Sequence, residues 1–241
     1  MKSLFSICVI AGFLMVTPWA NAADSLPVPP YQARYEVFAS GFSIGEAIVT
    51  LSAVGSNGYQ MSSDVQPNGL AALFASGRIQ EQASGHIRNG VIRPDQYQRR
   101  LDTGRKSKPM QADFDWPAGQ ITARNDGEAA TLSLSPGIVD PLSLQLMVMG
   151  DLKHGQLPNQ YRLVEKIAIK TYQIRNLGEE ILETPLGLLR TVRINQYTPG
   201  KTRMTTLWIA PDQHYLVVRI AQEKNSKEEL RMDIRSVQRQ P

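Results

Sequence analysis

The three histidines of the chain, His86, His154 and His214, lie far apart in the sequence. Metal sites and histidine-dependent catalysis often show short spacings such as His-x-x-x-His, or paired cysteines. Neither pattern occurs here, and the Gly-x-Ser-x-Gly turn of many serine hydrolases is absent as well. The sequence therefore predicts no metal and no cofactor, and it favours a protein without catalytic activity over a hydrolase.

Acidic residues are grouped at two places in the chain. Glu179, Glu180 and Glu183 precede a predicted strand, and Asp113 and Asp115 alternate along another one. General acid–base chemistry would need a positioned partner for one of these carboxyl groups. Because no partner is visible in the sequence, we interpret both groups as solvent-facing.

Asp140 and Ser143 have the spacing expected at the start of a helix. An aspartate at the N-cap accepts hydrogen bonds from first-turn amides, and Pro141 fits the first helical position. We therefore predict a helix from Asp140 to about Gly150, in which Ser143 bonds a first-turn group or faces solvent.

The predicted helix is apolar around nearly its whole circumference, which requires burial inside or across the mouth of the fold. Methionine side chains adapt to irregular apolar ligands, so Met147 and Met149 suit a binding wall. The candidate ligand-lining residues of this helix are Leu142, Leu146, Met147 and Met149.

Two tryptophans complete the candidate lining. Trp116 closes one predicted strand before Pro117, whereas Trp208 lies in the middle of another. A large aromatic ring stabilises a protein wherever it is enclosed, so core packing is the alternative explanation for both. The hypothesis is that Trp116 and Trp208 line a common interior or mark its rim.

Basic residues concentrate at Arg99, Arg100, Arg105, Lys106 and Lys108. Nucleic-acid binding would call for aromatic stacking platforms or a recognisable module, and neither is evident. We interpret this cluster as a solvated hairpin tip, with contact to an anion such as a lipid headgroup as the alternative. Arg105, Lys106 and Lys108 are therefore candidate anion contacts.

Arg219 is a further candidate at the rim of the fold. It lies opposite the inward face that the pattern predicts for its strand. We expect it to pair with Asp212, to cover the rim, or to be an exposed strand charge.

Short alternating segments dominate the chain, as in Leu230, Met232 and Ile234 opposite Arg231 and Asp233. About a dozen such segments are separated by turn sequences, and hairpin spacing leaves no room for the helices that connect parallel strands. The fold class predicted is all-β, a mainly antiparallel barrel, open barrel or sandwich with one buried apolar helix. The predicted domains are a signal peptide over residues 1–22 and a single β-rich domain over residues 23–241.

The first 22 residues have the features of a cleavable secretory signal. A basic residue, Lys2, precedes an apolar run that is too short to span a bilayer, and Ala20-Asn21-Ala22 suits signal peptidase. The only cysteine, Cys8, lies in this segment, so the expected mature chain has no thiol. We expect cleavage after Ala22, no later transmembrane segment and a periplasmic location.

Several blocks of residues in order resemble one family, domain of unknown function 3108. The resemblance implies a periplasmic β-rich protein of Gram-negative bacteria and assigns no catalytic residue. The blocks are Tyr31-Gln-Ala-Arg-Tyr35, Ile44-Gly45-Glu46, Gly85 to Pro94, Phe114-Asp115-Trp116, Asp140-Pro-Leu-Ser143, Glu183-Thr-Pro-Leu-Gly187 and Leu207-Trp-Ile-Ala-Pro-Asp212.

The expected function is the binding or carriage of a lipid or acyl chain in the cell envelope, by fold-level analogy with barrels that enclose apolar ligands. The alternative is an envelope scaffold with a filled core that docks a protein partner. Hydrolysis of envelope polymers is the least favoured function.

Overall fold

The computed structural model describes residues 25–68, 77–104 and 106–239, and these form one 15-stranded sheet around one α-helix. The first eight strands are β1 (Tyr31–Ala39), β2 (Phe42–Val54), β3 (Gly58–Pro67), β4 (Arg78–Arg88), β5 (Val91–Asp102), β6 (Ser107–Asp115), β7 (Gln120–Asn125) and β8 (Glu128–Ser133). The other elements are β9 (Ile138–Val139), α1 (Pro141–Lys153), β10 (Gln160–Glu165), β11 (Ala168–Thr184), β12 (Gly187–Tyr197), β13 (Arg203–Ala210), a 3-10 turn (Pro211–Gln213), β14 (Leu216–Lys224) and β15 (Lys227–Arg239).

The sheet consists of two antiparallel meanders. Strands β1 to β8 pair in sequence order, as do β10 to β15, and β15 pairs with β1 to join the two halves. Only the two-residue strand β9 pairs in parallel, with β10, because α1 connects them. The predicted all-β, mainly antiparallel fold with one helix is confirmed.

Local turn chemistry sets the register of several hairpins. Between β4 and β5, Asn89 and Gly90 both have positive φ values, 52° and 73°. Two such residues match the twist of the flanking strands, and asparagine and glycine adopt this conformation most readily. Asp126 and Gly127 make the corresponding turn between β7 and β8, with φ values of 50° and 89°.

The sheet curls until its two edges approach each other, although they do not pair. Its edge strands are β8 and β9, and the chain passes from Ser133 to Ile138 between them. Five residues reach at most about 17 Å, so the edges must be close. Accordingly, β8 lies against β11 and β9 lies against β5. Of the predicted architectures, the structure is the open barrel.

Helix α1 lies within the curl and packs against β3, β4, β5 and β10. Its burial and its start after the N-cap Asp140 confirm the prediction, whereas the predicted end near Gly150 is three residues too early. Gly150 lies inside the helix, and its missing side chain makes room for Pro27, whose Cβ would lie 3.0 Å from an added Cβ.

Strand β14 departs from a strict alternation of buried and exposed side chains. Leu216, Val217 and Val218 are all buried, with 0%, 3% and 1% of their surface exposed. The register with β13 shifts between Trp208 and Ile209, and such a bulge turns consecutive side chains towards one face.

The predicted signal peptide over residues 1–22, the predicted cleavage site after Ala22 and the candidate Arg105 lie outside the described ranges. Within the described ranges, no helix has both the length and the apolar character needed to cross a bilayer.

Candidate functional site

A buried polar cluster fixes the first turn of α1. The Asp140 carboxylate accepts hydrogen bonds from the amides of Leu142 and Ser143, both at 2.9 Å. Its other oxygen accepts one from the Ser143 hydroxyl at 2.5 Å, and that hydroxyl lies 2.6 Å from the Tyr59 hydroxyl on β3. The predicted N-cap thus also ties the helix to the sheet.

Burial dominates the ionisation of this cluster. Desolvation raises the pKa of Asp140 from 3.8 to about 6, although the hydrogen bonds from Ser143 and Leu142 oppose the shift. Burial also raises the pKa of Tyr59 well above its usual value, and the nearby Asp140 charge adds to this. The tyrosine therefore stays neutral, and the aspartate is the group of this cluster that can titrate near neutral pH.

Gly85 on β4 makes room for Tyr59. A Cβ at Gly85 would lie 2.4 Å from the Arg93 carbonyl oxygen and 2.7 Å from the Tyr59 hydroxyl. Real side chains never approach so closely, so only glycine fits where β4, β5 and the tyrosine converge.

Tyrosines fill much of the interior of the curl. Tyr31, Tyr35, Tyr59, Tyr97 and Tyr161 are each 4% exposed or less. Four of these hydroxyls, those of Tyr35, Tyr59, Tyr97 and Tyr161, have hydrogen-bond partners; Tyr35 donates to the Val217 carbonyl at 2.8 Å, and Tyr97 donates to Glu81 at 2.5 Å. The core around the first half of α1 is therefore packed rather than hollow.

A cavity of about 390 Å³ lies beside the second half of α1, and we call it the helix cavity. Ligand pockets commonly fall between about 300 and 1,000 Å³ and have mostly apolar walls. The helix cavity is walled by α1, the hairpin β4–β5 and the segment before β1, with apolar contributions from Leu26, Pro27, Ile87, Val91, Ile92 and Met147.

Polar residues also line the helix cavity. Ser25, Asp151, Lys153 and His154 belong to its lining. The Lys153 ammonium donates to the Pro27 carbonyl at 2.8 Å and so holds the segment before β1 against α1. Asp151 accepts from the Tyr161 hydroxyl at 2.6 Å, and partial burial raises the pKa of this carboxyl.

The predicted helix residues divide between cavity and core. Met147 lines the helix cavity. Leu142, Leu146 and Met149 are 1% exposed or less and belong to the packed core instead. Whether these residues contact a ligand stays a prediction.

The two tryptophans lie in separate clusters. The Trp116 indole donates to the Pro94 carbonyl at 2.8 Å, and the Arg93 guanidinium lies 4.9 Å from its ring centre. Trp208 instead lies 5.7 Å from the Arg219 guanidinium, on the face opposite the buried Ile194 and Leu207. The structure does not bring the two rings together in a shared interior.

The expected pairing of Arg219 with Asp212 is wrong. Arg219 pairs with Asp233, its neighbour across β14 and β15, whereas Asp212 pairs with Arg190 at 3.1 Å. Asp212 is in the 3-10 turn rather than on an adjacent strand, so register favours Asp233.

The remaining candidates are dispersed over the fold. Lys106 and Lys108 are exposed at the β5–β6 hairpin, as a solvated tip requires. Among the histidines, His86 lies 3.1 Å from Asp95 and His154 lies at the helix cavity. The described ranges contain no cluster of three or more His, Cys, Asp or Glu side chains that is arranged to hold a metal ion.

Sequence reasoning missed most of the wall of the helix cavity. Leu26, Ile87, Val91 and Ile92 belong to other elements than α1, and no local pattern relates them to the helix. One usable signal was Gly150, because a glycine within an apolar helical pattern often marks a close approach.

The similarity to one solved structure agrees with this architecture. A β-barrel-like protein of domain of unknown function DUF1849 from Brucella abortus aligns with a TM-score of 0.57 and 9% identity, over 88% of this chain and 98% of that one. A Bacteroides fragilis protein described as exported, with a YmcC-like fold, aligns at a TM-score of 0.42 and 11% identity, over 87% and 95% of the two chains. No curated protein matches this sequence.

The family comparison agrees with the ordered blocks of residues in the sequence. The model of the family described as "Protein of unknown function (DUF3108)" matches residues 31–234, which span β1 to β15. The chain therefore belongs to the DUF3108 family of proteins of unknown function.

Proposed function

We propose that this protein is exported to the periplasm and binds a lipophilic ligand, such as an acyl chain, in the helix cavity without transforming it chemically. The observation that carries the proposal is the cavity of about 390 Å³ with apolar walls from α1, β4 and β5. A cavity of this kind removes an acyl chain from water, and each buried methylene contributes roughly 0.8 kcal/mol.

The segment before β1 suits the entry and exit of such a ligand. Ser25, Leu26 and Pro27 form part of the wall, and Lys153 holds them through one hydrogen bond to a carbonyl. A single bond of this type contributes only about 1 kcal/mol. Opening of the segment would break this bond and the apolar contacts of Leu26 and Pro27, and would leave the buried Asp140 cluster at the other end of α1 in place.

Filling the cavity tests the proposal directly. Met147→Trp places a larger, rigid ring in the cavity and should weaken binding of the fluorescent fatty acid cis-parinaric acid by roughly tenfold or more. Fluorescence titration of the mature protein measures this. Leu188→Trp adds the same ring at a position that is 73% exposed and should bind like the unmodified protein. Equal binding by all three proteins, or none by the unmodified one, would refute a lipid site in this cavity.

A second function, that of an envelope scaffold with a filled core, is favoured by the five buried tyrosines around α1. Native mass spectrometry of protein purified gently from the periplasm separates the two functions. A co-purifying lipid-sized mass supports the carrier, whereas a bare protein mass that persists after lipid challenge supports the scaffold.

A further inference from the structure

The outer face of β3 to β6 carries an uncharged row of hydrogen-bonding side chains, which we call the amide row. Ser62, Gln82, Gln98 and Gln111 stand directly opposite one another across four strands. Their neighbours Ala83, Tyr97 and Ala112 are buried, so the amide row points away from the core.

An adjacent row on the same face has the same character. Gln60, Ser84, Gln96 and Asp113 follow one another in register. Asp113 is the one charged residue among these eight positions, and Arg124 on β7 pairs with it at 3.2 Å. The two rows together therefore offer donors and acceptors with little net charge.

Hydrogen bonds between the side chains hold several of these amides in place. Asp113 accepts from Gln96 and from Gln111, each at 2.9 Å. The Gln98 side-chain amide in turn donates to the side-chain oxygen Oε1 of Gln96 at 3.1 Å. Side chains that are already oriented lose less conformational entropy on binding a ligand.

The face is grooved rather than flat. A depression of about 570 Å³ follows the amide row and is also lined by two acidic and two basic residues, Asp64, Glu81, Arg99 and Arg100. Another of about 630 Å³ continues past Asp113 to Trp116. Arg93 lines the second depression, stacked on Trp116, and its buried Nε has no hydrogen-bond partner within the described residues. The far end of the surface thus combines an aromatic ring with a guanidinium group whose Nε is unpaired within the described residues.

The chemistry of this surface excludes several classes of ligand. Nucleic acid is bound through many cationic contacts to phosphate, and this face balances its charges. A lipid needs apolar walls, and the centre of a protein–protein interface is enriched in apolar and aromatic residues, but the two rows contain neither. What remains is an uncharged ligand that is rich in both donors and acceptors.

We propose that this surface binds an oligosaccharide, with its hydroxyl groups on the amide row and a sugar ring beside Trp116. A glutamine side chain presents a donor and an acceptor side by side, which suits neighbouring hydroxyls. The aromatic ring of Trp116 supplies an apolar surface for the C–H face of a sugar. The site is separate from the helix cavity and does not depend on lipid binding there.

The test uses the mature protein and three uncharged hexasaccharides, cellohexaose, maltohexaose and chitohexaose, in calorimetric titrations up to millimolar concentrations. The double variant Gln98→Ala with Gln111→Ala removes two amides from the row. The double variant Gln160→Ala with Gln173→Ala is its control, because these two residues also stand opposite each other, on β10 and β11. In each pair one glutamine is exposed and the other is half-buried.

At least one hexasaccharide should bind, and the Gln98/Gln111 variant should lose roughly tenfold in affinity, as expected for two lost hydrogen bonds. The control and the cavity-filling Met147→Trp variant should bind like the unmodified protein. Binding of no hexasaccharide, as for a surface that docks a protein instead, would overturn the proposal. Equal losses in the two double variants would overturn it as well.

Discussion

At the scale of single residues, Asp140 has two roles that conflict electrostatically. Its carboxylate caps α1, which favours the charged form, yet the residue is completely buried, which disfavours it. Burial prevails, because the pKa is raised to about 6. Ionisation of the Asp140 carboxyl in the folded protein therefore lowers the stability of the fold.

A pH-dependent stability follows from this raised pKa. Between about pH 4 and pH 6 the folded protein retains a proton on Asp140 that the unfolded chain has lost. The stability contributed by this group is therefore complete below pH 4 and is lost as the pH rises through 6. A shift of about two units corresponds to roughly 3 kcal/mol at most.

The variant Asp140→Asn isolates this effect. It should retain the cap but lose this pH dependence, so that its stability relative to the unmodified protein improves by up to about 3 kcal/mol between pH 4 and pH 7. Urea unfolding at both pH values measures the difference. Asp126→Asn changes an exposed carboxyl in a turn and serves as the control. The same pH dependence in Asp140→Asn and the unmodified protein would show that Asp140 is not the group concerned.

At the scale of secondary-structure elements, α1 depends on strands that are distant in the chain. Its first turn reaches Tyr59 on β3 through Ser143, and Tyr59 in turn requires Gly85 on β4. Its last turn reaches Tyr161 on β10 through Asp151 and Pro27 through Lys153. The position of the helix, and with it the shape of the helix cavity, is therefore set by contacts at both ends.

Gly85→Ala tests the coupling between helix and sheet. The added methyl group would meet the Arg93 carbonyl and the Tyr59 hydroxyl at 2.4 and 2.7 Å, so β4 or Tyr59 must move. We expect a loss of about 2 kcal/mol or more in the free energy of unfolding, measured with urea. Gly77→Ala is the matched control, since its nearest neighbour would lie 3.9 Å away. A Gly85→Ala protein as stable as the control would show that this close approach is not required.

At the scale of the whole molecule, the order of strands explains why the sheet remains open. The chain runs outward from β1 to β8, crosses to the opposite edge, and returns through β10 to β15, which pairs with β1. The crossing is the short segment from Ser133 to Ile138, and α1 follows it between β9 and β10; the helix occupies the interior while the two edges approach without pairing. Both halves of the chain therefore contribute to the curled sheet and to the residues packed inside it.

The proposed export makes a prediction for the whole chain. Because Ala20-Asn21-Ala22 suits signal peptidase, the protein recovered from the periplasm should begin at Ala23. N-terminal sequencing measures this, and replacing Ala20 and Ala22 with lysine should block processing. Recovery of periplasmic protein that still begins with Met1 would contradict the cleavage.

The sequence by itself determined those features that depend on neighbouring residues. Alternation at Leu230, Met232 and Ile234 indicated a strand because successive side chains of a strand point to opposite faces. Asp140 and Pro141 indicated the start of a helix because capping involves residues within one turn. The class of fold and the buried helix followed from these local patterns.

The tertiary structure alone decided which distant residues meet. The partner of Arg219 depends on the register of β14 and β15, and the separation of Trp116 from Trp208 depends on strand order. The helix cavity and the amide row likewise combine side chains from several strands. Pairing, register and curl are properties of long-range contacts, which no pattern within a single segment records.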